Sequence, residues 1–457
     1  MAWKVQHKPE NSITEGVIWK TLLAFFFPIL LGTFFQQMYN TADAIIVGKF
    51  VGKEALAAVG GATGSLINLI VGFFTGLASG ATVVLSQFYG GRKNQEVSDT
   101  VHTAAALALA MGLFLTVAGI WLSPIMLEWL GTPEDVMGPS IIYLTIYFIG
   151  MIPSLVYNIG SGLLRAVGDS RRPLLFLIIA CMTNIVLDVL LVVGFNMGVA
   201  GAAWATILSQ LVSAVLIVLT LMRSHTSYRL QARKIRFHGD LMRRIVNIGF
   251  PAGMQTAMYG VANIIVQASV NSFGTDVIAA YTAFGKLDGF YWMVLGAFGI
   301  SVTTFVGQNF GARRFDRVKK SVRVCLMQAS VTTLVMCVGL MIFGRTLYQM
   351  FTDDPNVIEQ GMVMLRILVP AYAAYICIEV FSGALRGVGD TLVATLFTLV
   401  GICVLRVAWV TLVVPRYHTL TMLMLCFPIT WVLTSTLFIV YYLRSGWMQR
   451  AIRRAGM

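Results

Sequence analysis

Four carboxylates, Asp43, Asp188, Asp288 and Glu379, stand inside long apolar runs where hydrocarbon is expected. The first sits in "GTFFQQMYNTADAIIVGKF", residues 32–50, which also places Gln36, Gln37 and Asn40 in its run. Ionisable groups inside a bilayer are costly and mark ion or proton paths by default. If the runs are helices, Asp43 lies about five residues before the outer end of the first, and Asp188 about six before Gly194 near the end of the fifth, so at ~1.5 Å per residue they share a level. Asn184 is one turn below Asp188 on the same face, and Thr206, in the inward-running sixth run, returns to that depth. Carboxylate, amide and hydroxyl oxygens at one depth suit a proton or a small hard cation. The plainer alternative is that Asp43 and Asn184 glue helices by hydrogen bonding. Two carboxylates at one level would repel unless a proton or cation intervened.

The elements that must position these groups can be read from composition. Hydrophobic residues make up 57% of the chain, charged residues 12%, and mean hydropathy is +0.79, which no soluble globular domain matches. A helical span needs roughly 20 mostly apolar residues. Such runs fall near 21–47, 57–88, 101–123, 139–164, 173–194, 199–222, 244–270, 278–310, 323–345, 360–385, 391–413 and 420–443. The expected fold is therefore an all-α polytopic membrane protein with twelve transmembrane helices, not an outer-membrane barrel, whose period-two strands are absent. The opening "MAWKVQHKPENSITEGVIWK" is polar and has no cleavage site, so no signal peptide is expected.

Net charge is +13, but its placement argues against a nucleic-acid partner. With the amino terminus inside, only Lys49, Lys53, Arg345 and Arg416 fall in outer loops, and only Lys286, Arg366 and Arg406 within helices. The remaining Lys and Arg lie in inner loops and tails, the positive-inside pattern, which puts both termini in the cytoplasm. The segment "RSHTSYRLQARKIRFHGDLMRR" reads as a topogenic loop on anionic lipid. The six cysteines lack CxxC spacing and read as packing residues. His7, His102, His225, His238 and His418 lie outside the runs or at their ends, and there is no HExxH, Walker loop or nucleophile elbow, so neither an enzyme nor an ATP-driven pump is expected.

An internal repeat at an offset of about 221 to 223 residues organises the chain. "SQFYGGRKNQEV" returns as "GQNFGARRFDRV", "SGLLRAVGDSRRPLL" as "SGALRGVGDTLVATL", and Phe27-Pro28 as Phe250-Pro251. Six helices per half, an even number, give parallel repeats: lobe 1–222, basic linker 223–243 and lobe 244–457, related by a pseudo-two-fold axis along the membrane normal, with a pathway between them. Gly90 and Gly311 are expected to close helices before basic loops, and Arg165 and Arg386 to sit near Asp169 and Asp390. The repeat also acts as a control: Asp43 corresponds to Ile265 or Val266, Asn184 to Leu405 and Asp188 to Trp409, so the carboxylate pair belongs to one lobe only.

Q-x-x-G-[AG]-[RK] after the second and eighth helices, G-x-L-R-[AG]-x-G-D after the fourth and tenth, and a polar, acid-bearing first helix after FP together resemble the multidrug and toxic compound extrusion (MATE) transporters, across essentially the whole chain. The resemblance implies a bacterial inner-membrane secondary exporter, working as a single chain, that expels amphipathic, mostly cationic small molecules by rocking-type alternating access. Its cofactor would be none beyond the coupling ion, H⁺ or Na⁺. It matches Asp43, Asn184, Asp188 and Thr206 to an N-lobe cation site, Gln36 and Tyr39 to polar cavity positions, and Pro28 to a bend in the first helix. Asn40 and Asn158 join the cavity candidates.

In the second lobe Asp288 could neutralise Lys286, although a spacing of two points them to different faces. Glu379 could meet a cationic drug, Arg366 or Arg406. It is offset from the acid of NorM-like sodium-driven members, and Tyr259 stands where those carry a glutamate. Tyr259, Tyr281, Tyr291, Trp292, Tyr372, Tyr375 and Met254 could line a cavity for flat lipophilic cations or simply pack. Two other functions stay open, an exporter of an endogenous metabolite and a flippase for a lipid-linked precursor, the latter expected to carry more cavity cations.

Overall fold

Apolar runs this long can satisfy their backbone groups in lipid only as helices or closed barrels, and the computed structural model, which describes residues 12–456, is helical with no strand among the described residues. His7 and the rest of residues 1–11, on which the signal-peptide reading and the placing of the amino terminus rest, lie outside the described residues. The long helices are α1 (Ile18–Phe50), α2 (Ala62–Gly90), α3 (Asn94–Trp129), α4 (Glu134–Ile149 and Met151–Ala166), α5 (Arg171–Asp188) and α6 (Gly198–Arg223). They continue as α7 (Gly239–Asn271), α8 (Thr275–Gly311), α9 (Phe315–Gln349), α10 (Pro355–Val388), α11 (Thr391–Thr398, running on through Leu399–Val404 into Leu405–Leu412) and α12 (Cys426–Arg444).

Among the described residues, ten helices are long and apolar enough to cross a membrane, or eleven when the two segments of α4, bent by 52°, count as one span. The expected twelfth, α7, is also continuous for 33 residues, but Arg243, Arg244, Gln255, Asn263 and Gln267 lower its hydropathy, so it falls outside that set. Large apolar side chains such as Met327, Val331, Leu334 and Ile342 on α9 are more than half exposed, a surface that suits lipid rather than water. Two π-helical turns, Val189–Gly194 after α5 and Leu399–Val404 within α11, rotate the helical face of the residues beyond them; they lie 210 residues apart, about a dozen short of the repeat offset, so they are not repeat equivalents.

By internal contacts the chain divides into Ala24–Gly253 and a unit joining Met254–Met457 to Met1–Leu23, as far as the latter is described. The divisions thus fall within α1 and α7. In the first unit the inner half of α7 crosses α2 at backbone distance: a Cβ on Gly249 would stand 2.0 Å from the Leu77 carbonyl oxygen, and one on Gly76 2.6 Å from the Gly253 Cα. Gly76 and Gly80 on α2, and Gly249 and Gly253 on α7, are each spaced by four, the small-xxx-small pattern that lets membrane helices approach closely.

The repeated loop motifs grip helix ends. Gln87 accepts a hydrogen bond from the Arg244 guanidinium, which also lies 5.0 Å from the Phe88 ring centroid. In the other unit the matching motif holds the turn at Ser12–Glu15: Arg314 donates to the Thr14 carbonyl at 2.6 Å, and Arg317 to Ile13 and Gly16 at 3.0 and 2.8 Å. As expected, α2 and α8 end at Gly90 and Gly311; the positive-φ residues of those loops are Arg92 and Arg313, and Gly168 and Gly389 of the G-D motifs also take positive φ. The linker is tied to α3. Gln231 N–H donates to His102 Nε2 at 3.0 Å, and His238 lies 2.9 Å from Thr103 Oγ1 and 3.5 Å from Asp99.

Candidate functional site

In the first unit, α1, α5 and α6 bring the four expected ion-site residues into one buried cluster. Asp43 is 6% exposed, Asn184 and Asp188 0%, and Thr206 3%. The carboxyl groups of Asp43 and Asp188 neighbour one another, and the Tyr39 hydroxyl adjoins both carboxylates and Thr206. Thr206 Oγ1 donates back to the Ala202 carbonyl at 3.0 Å, leaving its lone pairs toward the cluster. Asp43 Oδ1, both Asp188 oxygens, both polar atoms of the Asn184 amide and the Tyr39 hydroxyl have no protein hydrogen-bond partner. Buried polar atoms are normally paired, so these six atoms, close to one another, mark a candidate site for a proton or an ion shared among them. Oxygen donors of this kind fit a small hard cation or a shared proton.

Beside the cluster, a cavity of about 230 Å³ is lined by Gln36, Tyr39 and Asn158, as expected, and by Thr75, Tyr157 and Gln210, which the sequence pattern does not single out. Asn40 is exposed and does not line it. Tyr39 therefore touches both the cavity and the carboxylates. Tyr143, 5% exposed and close to Asp43, is a further cluster residue absent from the expected set; its signal in the sequence is the one-turn spacing from Tyr147.

The second unit holds a larger cavity, about 400 Å³, lined by Tyr259, Tyr281, Asp288, Trp292 and Tyr375 from the expected set and by Arg406, Phe427 and Trp431, which were not in it. Asp288 does not pair with Lys286, which is exposed. It accepts from Trp292 Nε1 at 2.6 Å, one turn on, and from the Tyr372 hydroxyl. Tyr259 and Tyr375 share a hydroxyl contact at 3.1 Å. Glu379 pairs with Arg386 at 3.2 Å, two turns along α10, instead of with Arg366 or Arg406, and it lies outside the cavity lining. That takes Arg386 away from Asp390, whose partner is Arg454 at 2.7 Å; Asp169 pairs with Arg172 at 3.3 Å.

An all-helical, multi-pass chain with internally repeated halves, polar cavities in both units and buried carboxylates in the membrane defines a membrane transporter. The MatE family model matches residues 28–190 and again 251–411, an offset that coincides with the internal repeat. The chain belongs to the MatE family, whose members are transporters rather than enzymes. It is similar to "Probable multidrug resistance protein YoeA" of Bacillus subtilis, 26% identical over 445 residues and covering 96% of each chain. It is also similar to the "FAD transporter" of Shewanella oneidensis, 25% identical and covering 83% of this chain and 84% of that one. In fold it matches a solved MOP-superfamily transporter from Pyrococcus furiosus with a TM-score of 0.89 at 20% identity, over 96% of this chain and 98% of that chain.

Proposed function

We propose that the protein is a secondary multidrug exporter in a bacterial inner membrane, both termini cytoplasmic, that works as a single chain and exchanges amphipathic, mostly cationic compounds for H⁺ or Na⁺ by rocking-type alternating access. The observation that carries this reading is the cluster of Asp43, Asn184, Asp188 and Thr206, with its unpaired buried oxygens. The names of relatives such as YoeA support the substrate class.

Two buried carboxylates in contact repel by about 4 kcal/mol at an effective dielectric constant of 20. A proton or Na⁺ between them removes that repulsion, and Asn184 and Thr206 supply further oxygens to a metal ion. Tyr39, on both the cluster and the cavity, passes the change in charge to the cavity lined by Gln36 and Asn158. Pro28, which withdraws one backbone donor from α1, is where that helix would bend as the ion leaves. A second reading, export of an endogenous metabolite, is favoured by the FAD transporter among the relatives.

The test is ethidium efflux from everted vesicles under a separately imposed Na⁺ or pH gradient. Wild type should respond to one gradient and Asp43→Asn to neither. Normal gradient-driven efflux by Asp43→Asn would remove Asp43 from coupling.

A further inference from the structure

The 400 Å³ cavity of the second unit combines one engaged anion with one open cation. Both oxygens of Asp288 already accept hydrogen bonds, from Trp292 and Tyr372, which hold the carboxylate in place without neutralising it; Arg406 is a countercharge across the same cavity, but the two make no ion-pair contact. Arg406 differs. Its side chain is 4% exposed, on α11 just beyond the π turn, and lines the same cavity. The guanidinium lies 4.4 Å from the Phe427 ring centroid, its Nη1 makes one long contact of 3.4 Å to Asn263 Oδ1, and its Nε has no partner. A guanidinium offers five donors in a planar fork matched to a carboxylate. Keeping that fork buried with its Nε unpaired by protein is costly unless something else completes it.

The surrounding surface specifies what the rest of that ligand should be. Trp292 and Trp431 lie with ring centroids 6.0 Å apart, and Tyr375 packs edge-on to both, at 4.6 and 5.6 Å. Phe427 joins Trp431 at 5.7 Å. Such walls favour flat aromatic rings, and the volume lies within the range of pockets for drug-sized molecules.

We infer that this cavity binds planar aromatic carboxylates, with Arg406 anchoring the carboxylate and Trp292, Tyr375, Phe427 and Trp431 enclosing the ring. The inference rests on the exporter reading and narrows its substrate class: an aromatic cation that also bears a carboxylate is held better than the same cation without one.

Rhodamine 110 and its methyl ester rhodamine 123 provide the probe pair, since they share a ring system and differ only in the free carboxylate. Binding to the purified full chain is followed by fluorescence anisotropy, and export by everted vesicles. In wild type, rhodamine 110 should bind roughly tenfold or more tightly than rhodamine 123, the worth of one charge-assisted hydrogen bond in a dry site. Arg406→Gln should abolish that preference while leaving rhodamine 123 affinity within roughly threefold, and Arg406→Lys should restore part of it. Equal or weaker binding of rhodamine 110 by wild type, or an equal loss of both dyes in Arg406→Gln, overturns the inference. If Arg406→Gln does not fold, the wild-type comparison decides alone. Rhodamine 123 export with no rhodamine 110 preference sinks the inference and leaves the exporter reading standing. Export of neither dye, with ethidium also retained, sinks both.

Discussion

Gly249→Ala is the sharpest probe of how the first unit is built. The added methyl would stand 2.0 Å from the Leu77 carbonyl oxygen, with the Leu77 carbonyl carbon and Cα at 2.8 and 2.9 Å. All three are backbone atoms of α2, so no rotamer change relieves the clash, and the crossing itself must open. Opening it also loosens the neighbouring approaches of Gly76 to Gly253 and of Gly80 to Ile245, each under 3 Å for a built Cβ. Overpacking of this kind costs about 1–3 kcal/mol. Taking about 2 kcal/mol, the unfolded fraction rises roughly thirtyfold. Gly339→Ala on α9 is the matched control, because nothing lies within 4 Å of its Cβ, and replacing a mid-helix glycine there should stabilise by about 0.5–1 kcal/mol. The assay is thermal unfolding of the detergent-solubilised protein, with Gly249→Ala unfolding below wild type and Gly339→Ala at or above it. Coincident midpoints for Gly249→Ala and wild type would refute the backbone crossing.

Tyr372→Phe should cost about 1–3 kcal/mol, because it leaves one oxygen of a buried carboxylate without its donor; the same unfolding assay reads it, and a neutral result would mean Asp288 finds another partner. Arg317→Ala removes donors to the Ile13 and Gly16 carbonyls, so backbone amides of residues 13–17 should exchange hydrogen faster, with α9 unchanged. Unchanged exchange there would show that Arg314 suffices.

The carboxylate cluster is legible in the sequence because depth in a membrane can be counted. The ends of the apolar runs fix a level, and the turn spacing of Asn184 and Asp188 fixes a face. Asp288 with Trp292, spaced by four, and Glu379 with Arg386, spaced by seven, are readable from the same periodicity, but charge alone draws attention to Lys286 and to Arg366 or Arg406 instead. That Arg406 faces the second cavity is hidden for a physical reason: the π turn at Leu399–Val404 inserts a residue into the helical repeat and shifts the face on which Arg406 stands. The anchoring of the linker through His102, Thr103 and Asp99 depends on contacts about 130 residues apart, which no local pattern reports. The span count falls short where the polar residues of α7, several of which line the second cavity, lower its hydropathy.

The most direct test of the central claim is ion counterflow measured in proteoliposomes, with an internal pH dye in one arm and ²²Na⁺ in the other, as substrate is driven across. Wild type should move one of the two ions against substrate, and both Asp43→Asn and Asp188→Asn should abolish that flux while still binding substrate. Undiminished ion flux in both variants would contradict a coupling role for the pair and leave it as buried glue between α1 and α5.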